Sequence, residues 1–153
     1  MTTLSPTAHR ESASANLWKG AGVTAFVAVL FPRVNAVMYD HEKIWQLDHE
    51  AAVLAPLVVV LALVIFATVG PYALRGTANR PARASVICSI VAVLGVVAFW
   101  MSVPITLGGL AVTLGLEGRR RAPELGRGGL ATAGTVIGAV AAIGGAALWL
   151  VGA

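Results

Sequence analysis

Two runs of this chain hold no charged residue over 24 positions each, Ala51–Leu74 and Gly128–Val151. At a helical rise of 1.5 Å per residue each run reaches about 36 Å, enough to cross a hydrocarbon core of about 30 Å with some tilt. A soluble fold has few ways to hide two such runs in 153 residues. Charged residues make up only 12% of the chain, against about a quarter in soluble domains, and mean hydropathy is +0.82. The pattern predicts an all-α, polytopic membrane helix bundle.

The remaining spans follow from the same reasoning. A first span runs from Leu17 to Met38, with Trp18 and Lys19 at its interface and Pro32, Arg33 and Asn35 disturbing its far end. Residues 1–16 are small and polar without periodicity, and are expected to form a disordered tail. They lack the apolar core and small-residue cleavage site of a secretory signal. A third span is expected over Ala84–Met101, and Ser102, Val103 and Pro104 suggest a tight turn. The segment Ile105–Leu116 is short for a span, at roughly 18 Å. Residues 117–127 read as a basic loop before the last span. The organisation expected is a tail over 1–16, a two-span hairpin over 17–74 with an acidic loop at 39–50, and a Gly/Ala-rich three-helix unit over 84–153.

Charge chooses between five spans and four. With five, Arg10, Lys19, Arg75, Arg80, Arg83, Arg119, Arg120, Arg121 and Arg127 fall on one side, leaving Arg33 and Lys43 on the other. With four, residues 84–116 cross once, and the basic residues divide five against six. The positive-inside rule favours five spans with a cytoplasmic N-terminus. The basic residues therefore orient the chain, and Arg119, Arg120, Arg121 and Arg127 are the candidates for contact with anionic lipid. Although the pI is near 10.0, the basic residues lie in short connectors, so no nucleic-acid partner is implied. The expected partners are the bilayer and either a membrane-protein partner or further copies of the chain.

Small residues supply the packing signal. Gly108, Ala111 and Gly115 share a face of one helix, and Gly134, Gly138, Ala142 and Ala146 recur every fourth residue on the next. Stripes of this kind let helix backbones approach closely in lipid. Sealing helices within one chain is the preferred reading, with contact between copies as the alternative.

From Ala84 onward these features resemble a bacterial membrane family, number 4190 in the domain-of-unknown-function series. The residues that carry the resemblance are Pro104, Gly108, Ala111 and Gly115, then Arg119–Arg121, then Gly126, Arg127, Gly128, Ala131, Ala133, Gly134 and Gly138. The inserted Pro123 and Glu124 make this basic loop longer than the family pattern. The resemblance covers roughly the last 70 residues and implies a three-helix membrane unit with no established activity.

Candidate chemistry is sparse. Asp-His-Glu occurs twice, at 40–42 and 48–50, which makes His41, His49, Asp48 and Glu50 candidate metal ligands. Three adjacent residues are not a known zinc spacing, so a solvated outer loop is the preferred reading. Arg33 is an ionisable residue inside a span, with Asp40, Asp48 or Glu50 as partners, or it reaches the outer headgroups. Cys88 reads as a small buried hydrophobe. No phosphate-binding glycine loop or G-x-S-x-G elbow is present. The expectation is a non-catalytic structural or accessory protein of the bacterial plasma membrane, without cofactor. The alternative is a small transporter or ion- or proton-sensing protein using Arg33 and the acidic loop.

Overall fold

The computed structural model describes residues 6–39, 49–75, 79–97, 102–122 and 128–151. Five helices follow in order: α1 (Pro6–Tyr39), α2 (His49–Leu74), α3 (Arg80–Leu94), α4 (Val103–Arg121) and α5 (Gly128–Val151). Four stretches are long and apolar enough to cross a membrane: Glu11–Met38, Val53–Leu74, Arg80–Val97 and Gly128–Val151. The fold is an all-α bundle with the make-up of a multi-pass membrane protein.

The helices run alternately up and down. Leu17 of α1 meets Gly70 of α2, while Ala28 and Val58 share a cluster further along. On α3 and α4 the pairs are Ala82 with Gly118 and Gly95 with Val103. On α4 and α5 they are Gly118 with Ala131 and Pro104 with Gly145. Each set runs in opposite directions along its two helices. Arg75, Arg80 and Arg119–Arg121 therefore gather at one end, with Arg83 one turn in. Arg33, Ser102 and Trp149 lie toward the other end.

The fourth helix was the doubtful span, and it is the hub. It packs against all four other helices. Its buried residues include Pro104, Ile105, Thr106, Gly108, Leu110, Ala111, Leu114, Gly115 and Gly118. A helix faced by protein on most sides has no need of a lipid-facing apolar surface, and α4 is not among the four stretches apolar enough to cross. Its 19 residues extend about 28 Å. Leu110 and Leu114 join Leu17, Ala21, Phe66 and Cys88 in the main core cluster.

Three boundaries differ from the sequence expectation. The stretch 6–16, expected as disordered tail, forms the first turns of α1. Pro6 opens the helix, where its missing N–H costs nothing, and Ala13 and Leu17 are buried. Second, α4 continues through Arg121, so only part of 117–127 is a connector. Arg121 Nε donates to Glu117 Oε1 at 2.9 Å, one turn back, and Arg120 lies 3.9 Å from the same carboxylate. Basic residues in a last turn also complement the helix dipole. Third, α3 begins at Arg80, with Pro81 in its first turn, and gives way to a 3₁₀ turn over 95–97 before reaching the expected end at Met101. Ser102 supplies the reversal, with φ 54°, and α4 starts one residue later with Pro104 in its first turn.

Candidate functional site: the glycine seams around α4

The small residues singled out in the sequence come together across α4 and α5. A Cβ added to Gly108 would lie 2.5 Å from the Gly138 carbonyl oxygen and 2.9 Å from Ala142 Cβ. One added to Gly138 would lie 2.7 Å from Ala111 Cβ. Neither neighbour can yield easily, because the first is backbone and the second sits on a buried helix face. Gly115 and Gly134 close a second contact, in which an added Cβ would strike Thr135 and Ser85 respectively. The seam therefore lies inside one chain. Gly22, Gly129 and Gly144 have open space around them.

Sequence reasoning missed two further seams. Gly20 and Gly109 give α1 its approach to α4, facing Thr113 and Thr24. Gly118 lets α4 pass close to α3: a Cβ added there would lie 3.1 Å from the Ala82 backbone nitrogen. Both were hidden because each glycine pairs with a threonine or alanine on a distant helix, and no single-helix stripe announces that.

Hydroxyls lock these seams. Ser85 Oγ donates to the Ala111 carbonyl at 2.6 Å, tying α3 to α4. Ser102 Oγ donates to the Ala28 carbonyl at 3.1 Å, tying the α4 turn to α1. Asn35 Nδ2 donates to the Trp149 carbonyl, tying α1 to α5. Thr106 Oγ1 is buried with no partner among the described residues. Among those residues the buried polar side chains are Thr24, Ser85, Ser89, Ser102 and Thr106, and none carries a charge.

The other sequence candidates fall elsewhere. His41 and Asp48 lie outside the described residues, while His49 and Glu50 open α2. Among the described residues no group of three potential ligands gathers to hold a metal ion. Arg33 is half-buried in α1 beside Pro32. Arg119 and Arg120 are exposed in the last turn of α4. Arg121 is held by Glu117 and donates from Nη1 to the Leu74 carbonyl at 3.3 Å, and Arg127 lies outside the described residues. Cys88 is buried in α3.

Such an arrangement packs helices. No protein-family model matches the chain, and neither a curated protein nor a solved structure matches it.

Proposed function

We propose that this chain is a small multi-pass protein of the bacterial plasma membrane that works without catalysis, as a structural or accessory subunit acting through helix packing. One observation carries the reading: the buried polar residues described all carry hydroxyls, and Ser85 and Ser102 donate theirs to carbonyls of neighbouring helices. A path for ions or polar solutes needs charged or amide groups at mid-depth, and an interior of this kind offers a rigid apolar body instead. The arginine-rich end faces the cytoplasm under the positive-inside rule, which gives a cytoplasmic N-terminus. The resemblance that roughly the last 70 residues suggest to the domain-of-unknown-function family 4190 is part of this proposal and would imply a membrane unit without known chemistry.

Gentle-detergent purification of the tagged full chain, followed by native mass measurement, tests the proposal. A defined heterologous partner or a discrete homo-oligomer is the expected result. A lone monomer would overturn the accessory reading. Gly22→Leu and Gly144→Leu add bulk where space is open, so loss of the partner with retained helicity would map the docking face. Gly138→Leu cannot serve this purpose, because it would break the chain's own α4–α5 seam.

A further inference from the structure

At the basic end of the bundle a cleft of about 720 Å³ opens between the start of α1, the end of α2 and the end of α4. It lies within the usual size range of ligand pockets, about 300–1,000 Å³. Its walls are built from two kinds of residue. Ala13, Leu17, Trp18, Pro71 and Leu74 form an apolar floor, while Glu11, Ser14, Arg75 and Arg121 supply the polar groups. The two arginines come from different helix ends, and the carboxylate comes from a third element, the α1 extension that the sequence suggested would be unstructured.

We propose that this cleft binds the headgroup of a phospholipid whose phosphodiester carries a primary ammonium, with the acyl chains leaving along the apolar floor. The inference rests on the chain being a membrane protein, but not on its being an accessory subunit. Its basis is the separation of charge within one cleft. Guanidinium groups recognise phosphate oxygens through paired N–H donors, and Arg75 and Arg121 supply them. Arg121 is already oriented by Glu117 and the Leu74 carbonyl, which leaves its remaining donors set in direction. Glu11 would repel a purely anionic headgroup, whereas an ammonium gives it a hydrogen-bonding partner of opposite charge. A trimethylated ammonium has no N–H to give. Glu117 is already engaged by Arg121 and lies 3.9 Å from Arg120, so Glu11 is the carboxylate of the cleft lining that an ammonium can meet. Trp18, about half exposed at 48%, is the residue type that settles at the headgroup level.

The test uses the purified full chain in mixed micelles holding equal amounts of phosphatidylethanolamine, phosphatidylglycerol and phosphatidylcholine with matched acyl chains. Native mass spectrometry reads which lipid is retained. Retention of phosphatidylethanolamine should exceed that of either competitor by roughly threefold, the scale of one partly exposed charge pair. Glu11→Gln should erase the preference over phosphatidylglycerol, and Arg75→Gln should lower retention of both. Equal retention of the three lipids, or a ranking that Glu11→Gln leaves intact, would overturn the proposal. A parallel thermal melt with inorganic phosphate separates the sources: stabilisation as large as that given by phosphatidylethanolamine would assign the cleft to free phosphate and overturn the lipid site. Recovery of the chain in the soluble fraction after cell breakage would mark failure of the membrane reading, a result distinct from any lipid ranking.

Discussion

At Gly108 and Gly138 the backbones of α4 and α5 come close enough that a single methyl group decides whether they can touch. An added Cβ at Gly108 meets a carbonyl oxygen at 2.5 Å, so Gly108→Ala should push the helices apart and cost about 1–3 kcal/mol. Gly144 faces open space, and there Gly144→Ala should stabilise the helix by about 0.5–1 kcal/mol through propensity alone. Unfolding of the two variants in mixed detergent checks the contrast, and equal effects would contradict the seam. Hydroxyls give a second contrast. Thr106 Oγ1 is buried without a described partner, so Thr106→Val should be neutral or stabilise by about 1 kcal/mol. Ser85→Ala should instead cost about 0.5–1.5 kcal/mol, because it removes the bond to the Ala111 carbonyl. Of these four positions, Gly108 was legible in the sequence as a packing residue. The stripes on α4 and α5 were visible, but which glycine faces a helix and which faces open space depends on the partner helix.

At the scale of elements, the first turns of α1 carry the plainest disagreement with sequence reasoning. Residues 6–16 have no apolar periodicity, yet Ala13 is buried at 4% exposure. A small residue buried against neighbouring helices leaves almost no hydrophobic signature, so composition reads such a stretch as tail. Deleting residues 1–13 should lower stability by about 1 kcal/mol, roughly the worth of one buried methyl group, and should abolish the lipid preference argued for Glu11. A disordered tail would leave both unchanged. The C-terminal turn of α4 was missed for a related reason. A run of three arginines reads as a connector, but Glu117 one turn back pairs with Arg121 and carries the helix through it.

For the whole molecule, alternate helix directions collect the basic residues at one end. Arg75, Arg80 and Arg119–Arg121 lie there, with Arg33 toward the opposite end. Single cysteines placed at positions 75, 120 and 35 in a Cys88→Ser background test the orientation in intact cells. Positions 75 and 120 should resist a membrane-impermeant thiol reagent until the cells are opened, while 35 should react first. The reverse pattern would invert the assigned topology, and shared accessibility of 75 and 35 would remove α2 as a crossing.

Composition and local spacing were enough to assign the class of fold, an all-α bundle. In lipid a long uncharged run can be satisfied as a helix, with its backbone groups bonded internally. That is a property of composition and local spacing, so it needs no partner to be read. Which helix lies at the centre follows from packing between distant segments, not from anything local in the chain. The fourth helix is less apolar than its neighbours, yet it packs against all four of them. The same holds for the cleft at the basic end. Glu11, Arg75 and Arg121 are far apart in the chain, and only the packing of α1 and α2 beside α4 makes them the walls of one space.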